Sequence, residues 1–418
     1  STTVSLGYVP ATDNAWFTQV TASDVKQVAF VGPDLVVNGT DKVVLYSLVT
    51  PSAPSSALTW TVNNGPIDDM DVSGDFVVVR DDGLSILEVT RDGQGVATGL
   101  VRRSGFNGYT NAYSTVVVAG QYAYMGNSTS VYAVNLANPS SPVIGGAVGL
   151  GNNINDLAVR GNRLYAVNAQ TDYAFRVVKL DDPMNPVVDS TANQPSGFGD
   201  SYAADLLKVS GDVLYVSRKE KGIAAFNLAA GPKPTLFSKR SLPGTCQGMW
   251  HDGSTLYVTA GYGTGLNLVD TQGLLESPPT LDLLVSNAVA GNSRDVAVRR
   301  NYAYVATGGG IWTVSLGGAL PPEIDRSRVT LSADAEGAVV VGLAGAVSGS
   351  SQPLSAHLTN IRNSDEEPVY PDPADGSFTG TIGALAGDEI ALTVEDGAGR
   401  STTVSLGYVP ATDNAWFT

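Results

Sequence analysis

The chain has 418 residues, of which 43% are apolar, with Gly 47, Pro 22, Lys+Arg 24 and Asp+Glu 40, giving a net charge of −16. That apolar content excludes a disordered chain, because burial can offset chain entropy, and the acidic balance argues against nucleic acid or anionic lipid as a partner. The single cysteine, Cys246, excludes an internal disulfide framework, and two histidines, His251 and His357, exclude most histidine-based metal sites.

Residues 1–18 read STTVSLGYVPATDNAWFT, and residues 401–418 repeat them letter for letter, 400 residues on. Internal self-similarity marks repeat architecture. The expectation is a tandem array with a 400-residue period. This chain would be one period plus the start of the next. Residues 1–13 are then expected to be the last strand of the preceding unit and a linker, and residues 411–418 the start of the following unit.

A shorter period fills residues 14–320. Related segments begin at Asp34, Asp75, Gln121, Asn162, Asp212, Ser254 and Asn301, which is seven copies at spacings of 41 to 50 residues. Each copy holds a short strand, a tight polar turn, an alternating β-branched and aromatic strand such as Leu256–Ala260, and a third strand such as Gly265–Asp270. Many copies then bend at proline, as in NPSSP (138–142), before a weaker fourth strand. Period-2 alternation at this spacing means strands, and four strands per copy is one propeller blade. The seventh copy shows only three strands, and Asn14–Thr21 is expected to supply its missing outer one.

After 317–323 the grammar changes. Residues 321–410 read as a small β-sandwich, with candidate strands Arg328–Ala333, Gly337–Ala344, Leu354–Ile361, Ser377–Ile382, Glu389–Glu395 and Thr402–Tyr408. The fold expected is all-β: a seven-bladed β-propeller plus a small β-sandwich, which the stretch Asp375–Leu406 makes Ig-like by resemblance to the final strands of such domains. No stretch reaches the roughly 18 apolar residues of a membrane helix, so no membrane insertion is expected.

The propeller copies resemble the LVIVD repeat family, most closely in AYMGNSTSVYAVNLANPSSPV (Ala123–Val143) and LYVTAGYGTGLNLVD (Leu256–Asp270). The resemblance covers about residues 22–320, and the second copy departs from it with EVTRDGQG (Glu88–Gly95) where the proline bend belongs. It implies a propeller on a secreted or surface-attached protein, without catalytic residues. The stretch Asp375–Leu406 resembles the final strands of bacterial Ig-like domains.

The terminal strand of that sandwich lies inside the duplicated segment. The turn at Glu395–Arg400 is short, so Thr402, Thr403, Val404, Ser405 and Leu406 are expected to pair within their own chain. Thr2, Thr3, Val4, Ser5 and Leu6 are then expected to complete the preceding unit's sandwich.

Little chemistry is legible. His251 in MWHDGST sits at the inner strand of blade six, where HDGS reads as a strand-end turn; His357 reads as a solvent-facing sandwich residue and Cys246 as a small buried filler. Asp68, Asp69, Asp156, Asp205 and Asp295 recur at the start of inner strands. They could ring a channel mouth and hold Ca²⁺, or each could cap its own turn; the repeat grammar favours caps. Asp365, Glu366, Glu367, Asp372 and Asp375 read as one acidic sandwich loop, the weak Ca²⁺ candidate. No other cofactor and no enzymatic activity are expected. The expected role is a structural repeat unit of a long extracellular bacterial fibre, stalk or adhesive appendage. Its partners are then neighbouring copies; the alternative is a propeller face that binds a glycan or surface protein, and more distantly a propeller enzyme.

Overall fold

A computed structural model describes residues 17–21, 24–49, 51, 53–62, 65–108, 114–151, 153–168, 175–191, 205–229, 231–261, 265–287, 292–299, 302–316, 322–334, 337–349, 353–396 and 401–410. Residues 1–16 and 411–418 lie outside this set, and with them the expectations placed on Thr2–Leu6. Among the described residues the secondary structure is strand with short 3₁₀ turns, and no helix is long and apolar enough to cross a membrane.

Each copy opens with a hairpin whose turn needs a left-handed residue. Gly32, Gly74, Gly120, Gly161, Gly211 and Gly253 occupy this one position in the first six copies, with φ between 53° and 59°. A side chain there would be strained, so glycine sets the hairpin and its register. The strands that follow build six four-stranded antiparallel sheets, over 27–61, 69–107, 114–149, 154–188, 207–240 and 245–287. The seventh sheet takes three strands from 293–315, and its outer strand is Phe17–Thr21. Phe17 is opposite Val314 and Thr21 opposite Gly310, so the first described strand closes the last blade.

The blades pack face to face, and each apolar cluster spans two neighbours. Tyr165, Phe175, Leu207, Leu214 and Phe226 join blades four and five; Val36, Leu45, Val77 and Leu87 join blades one and two. Phe175 and Phe226 meet edge to face with ring centroids 5.2 Å apart, an arrangement that adds to simple burial. The second strand of blades three to seven carries a fully buried tyrosine at one shared position: Tyr124, Tyr165, Tyr215, Tyr257 and Tyr304. In blade seven the Tyr304 hydroxyl donates to Pro51 O of blade one at 3.0 Å. A buried phenol needs such a partner, and this one also ties the two ends of the ring.

The second unit is a sandwich. One sheet holds Val329–Ala333, Ala338–Gly342 and Phe378–Ile382; the other holds, in order, Asp365–Val369, Ser355–Asn360, Glu389–Glu395 and Ser401–Tyr408. Alternate residues of both face one core, including Val340, Leu358, Phe378, Ile390, Leu392 and Leu406. Asp365–Val369 corrects the sequence reading, which made Asp365, Glu366 and Glu367 part of a loop. It is an edge strand, and edges tolerate Pro368 and favour exposed charge. A further short pair, Glu323–Ile324 with Val347–Ser348, was not anticipated.

Candidate functional site: the propeller channel

The innermost strand of every blade is the edge of its sheet, so its outward N–H groups lack ladder partners. Pairing with the second strand aligns these edges: Val28, Met70, Val116, Leu157, Leu207 and Met249 are equivalent in blades one to six, facing Val37, Val79, Met125, Ala166, Val216 and Val258. Val296 follows Asp295 at the same place in blade seven. The residue just before this position decides how the edges are satisfied.

In blades two, four and seven that residue is aspartate, and each carboxylate bridges two blades. Asp69 Oδ1 accepts from Met70 N at 2.8 Å, and its Oδ2 from Val116 N of blade three at 2.7 Å. Asp156 takes Leu157 N and Leu207 N of blade five, both at 2.7 Å. Asp295 takes its own neighbour, Val296 N, and Val28 N of blade one at 3.0 Å. Three carboxylates thus serve six of the seven edges. Blade six is the exception, with Gly248 in the aspartate's place. A Cβ on Gly248 would lie 2.6 Å from the Asp295 Cα and its Oδ1, so glycine leaves room for the neighbouring clamp. Two residues further along the same strand, Asp71 repeats the device, accepting from Val72 N at 2.8 Å and Val118 N at 2.6 Å.

These groups line two adjoining cavities of about 330 and 260 Å³ that share Gln27, Asp69 and Asp156. The larger adds Lys26, Asp68, Asn155, Gln247, Arg294 and Asp295; the smaller adds Asp71 and Lys208. Lys208 Nζ sits 4.6 Å from the centre of the Trp250 ring, and Trp250 meets Phe30 of blade one edge to face at 5.6 Å. Burial dominates the acid chemistry. It pushes Asp295 up to about 7, Asp71 up to about 6 and Asp156 well above the usual carboxylate range, against the backbone donors that favour the ionised form. The carboxylate oxygens are spent on backbone N–H groups and, at Asp69, also on Gln27 Nε2 and Thr115 Oγ1. Among the described residues no group of three or more His, Cys, Asp or Glu side chains is placed to hold a metal ion. What the arrangement does is brace neighbouring blades.

The turn-cap reading of the aspartates is therefore replaced for Asp69, Asp156 and Asp295, which reach the next blade. Asp205 accepts from Asn155 Nδ2 at 2.8 Å, and Asp68 lines the larger cavity. The sequence reading missed Asp71, Lys208 and Trp250, which share one aligned position two residues past the clamp but no common side chain.

His251 lies near the end of the strand Thr245–Asp252, the inner strand of blade six, as the sequence placed it. Its Nδ1 faces Ser210 Oγ of blade five at 2.9 Å and its Nε2 faces Thr271 Oγ1 at 3.1 Å. Thr271 Oγ1 already donates to Ser254 O, so it accepts from Nε2–H, and Nδ1 accepts from Ser210. The ring stacks on Tyr215 at 5.2 Å, and burial, helped by Lys208, holds the imidazole down to about 4. A neutral, fully partnered imidazole is a tie between blades. Cys246 is buried; its Sγ–H faces Gly222 O at 3.6 Å, and burial pushes the thiol up to about 12. His357 is half-buried on an alternating strand whose neighbours Ala356 and Leu358 enter the core.

In the sandwich, Asp372 Oδ1 accepts from Ala374 N at 2.8 Å and Asp375 Oδ1 from Ser377 N at 2.9 Å, each shaping its own turn. Asp365, Glu366 and Glu367 sit apart from them on the edge strand, where successive side chains alternate faces. The terminal strand pairs with Glu389–Glu395: Thr402 with Val394, Thr403 with Thr393, Val404 with Leu392 and Ser405 with Ala391. Leu406 is in the core, Arg326 donates to its carbonyl, and Thr402 Oγ1 donates to Pro322 O.

The LVIVD repeat family matches residues 112–149 and 290–314. No curated protein matches the sequence significantly. Among solved structures, the chain is similar to the β-propeller domain of Cps50 (Swd1) from Myceliophteria thermophila, at 12% identity over 71% of this chain and 98% of that one, with a TM-score of 0.53. It is also similar to the WD40 β-propeller domain of Doa1, at 11% identity over 71% and 94% of the two chains, TM-score 0.53. A functionally unknown protein from Desulfotomaculum acetoxidans matches at 11% identity over 65% and 87%, TM-score 0.50. At these identities the likeness is one of fold: the chain contains a β-propeller, two segments of which match the LVIVD repeat.

Proposed function

We propose that this chain is the repeating structural unit of a long extracellular bacterial fibre, stalk or adhesive appendage, with an Ig-like sandwich after each propeller. The observation that carries the reading is how the two copies of STTVSLGYVPATDNAWFT are used. In the copy at 401–418, residues 401–408 form the terminal strand of the sandwich. In the copy at 1–18, Phe17 and Thr18 open the strand that closes the propeller. One segment thus holds the end of a sandwich and the beginning of a propeller. Such a segment is the junction of an array that alternates the two modules covalently. The channel supports a structural role, since its carboxylates brace blades. Partners are further copies of the same unit, and no catalytic step or cofactor enters the reading.

Limited proteolysis of the native material tests it. Cleavage at one exposed linker per unit should give a ladder of fragments spaced by the mass of 400 residues. A digest without that spacing would contradict the array.

A further inference from the structure

The propeller's two chain connections leave from one point. Phe17, where the chain enters the closing strand, is the register partner of Val314, one residue before the seventh blade ends at Ser315. Tension applied through the two connections pulls these partners apart sideways. The five pairs from Phe17–Val314 to Thr21–Gly310 are then loaded one after another, as in a zipper. Each pair contributes little by itself, because a backbone hydrogen bond largely replaces one that the same groups make to water in the open chain.

The sandwich is loaded differently. Its terminal strand starts beside the point where the chain enters, since Thr402 Oγ1 donates to Pro322 O, and the chain leaves beyond Tyr408 at the opposite end. Tension runs along that strand, and its seven register pairs with Glu389–Glu395 share the load at once.

We infer that the Phe17–Thr21 strand is a force-released catch: under tension it peels from Gly310–Ser315 and opens the propeller while the sandwich stays folded. Once it peels, the next ties between blade seven and blade one include Asp24 to Arg294 at 2.6 Å, Asp295 to Val28 at 3.0 Å and the Tyr304 hydroxyl to Pro51 O at 3.0 Å. Ring opening then exposes the edge of blade seven and lets the blades unfold in series. Each propeller is a store of length. The fibre reading supplies the source of tension, but the geometry belongs to this chain and is testable on it alone.

The experiment is single-molecule stretching of the full chain from handles at its two ends. The propeller should extend first, at lower force, by roughly 100 nm at about 3.6 Å per residue, and the sandwich later by roughly 30 nm. A locked variant carries Thr18→Cys and Thr313→Cys, register partners at a spacing that suits a disulfide, with Cys246→Ala to remove the native thiol. Oxidised, it should lose the propeller extension completely and keep the sandwich step; reduction should restore the parent trace. If the reduced form does not reproduce the parent trace, Gln19→Cys with Trp312→Cys replaces the pair. A sandwich step that precedes the propeller step, or a propeller step that survives in the cross-linked molecule, overturns the inference.

Discussion

Asp295 Oδ2 accepts the backbone N–H of Val28 at 3.0 Å, across 267 residues of sequence. The same oxygen position on Asp69 and Asp156 takes the N–H of Val116 and Leu207, always in the next blade and always at the equivalent residue. Ring closure is therefore one instance of a repeated inter-blade bond, reinforced at blade seven by the closing strand.

Replacing Asp295 or Asp156 by Asn should cost about 1–3 kcal/mol, because an amide accepts one of the two N–H groups and presents a donor to the other. Denaturant unfolding measures it. Asp205→Asn, where the carboxylate meets only the side chains of Asn155 and Lys219, should cost clearly less. Equal losses at all three sites would contradict the clamp.

Gly248→Ala should destabilise by about 1–3 kcal/mol through overpacking against Asp295. The double variant Gly248→Ala, Asp295→Ala should lose less than the sum of the singles, since the second change removes the obstacle. Additive losses in a double-mutant cycle would separate the two residues.

Stability should depend on pH in two opposite ways. Asp295, at about 7, and Asp71, at about 6, sit above the unfolded value of 3.8, so the folded protein holds their protons more tightly. Their contribution is complete below about pH 4 and is lost as pH rises through 6 to 7. His251, at about 4 against 6.5 unfolded, contributes fully above pH 6.5 and loses that contribution as pH falls towards 4. Urea midpoints between pH 4 and 8 should show Asp295→Asn flattening the alkaline loss and His251→Gln flattening the acid loss. Variant curves parallel to the parent would refute both assignments.

Tyr304→Phe should cost about 0.5–1.5 kcal/mol, the net worth of its bond to Pro51 O, whereas Tyr304→Ala should cost about 3–5 kcal/mol through the cavity it leaves. Thermal unfolding of the two variants separates the bond from the packing. A neutral Tyr304→Phe would remove the hydroxyl from the account.

Much of the fold was legible in the sequence because hairpin turns and strand alternation are local. The seven related segments set the period, and Asn14–Thr21 stood out as a strand with no blade of its own, of which Phe17–Thr21 is the described part. Asp365–Val369 was illegible because three acids and a proline look like a loop until an adjacent strand makes them an edge. The clamp was half legible. Asp69, Asp156 and Asp295 recur in register, but their partners are backbone N–H groups of another blade, which carry no side-chain signature. Asp71, Lys208 and Trp250 stand at one aligned position with three different side chains, so no repeated letter drew attention to them.

The central claim, a covalent array of propeller–sandwich units, meets its most direct test in denaturing electrophoresis of intact native material, detected with an antibody to the sandwich. The account predicts a species far above 43.2 kDa, the mass of this chain. A single band at the mass of one unit would contradict it, and would assign the duplicated strand to non-covalent exchange between separate chains.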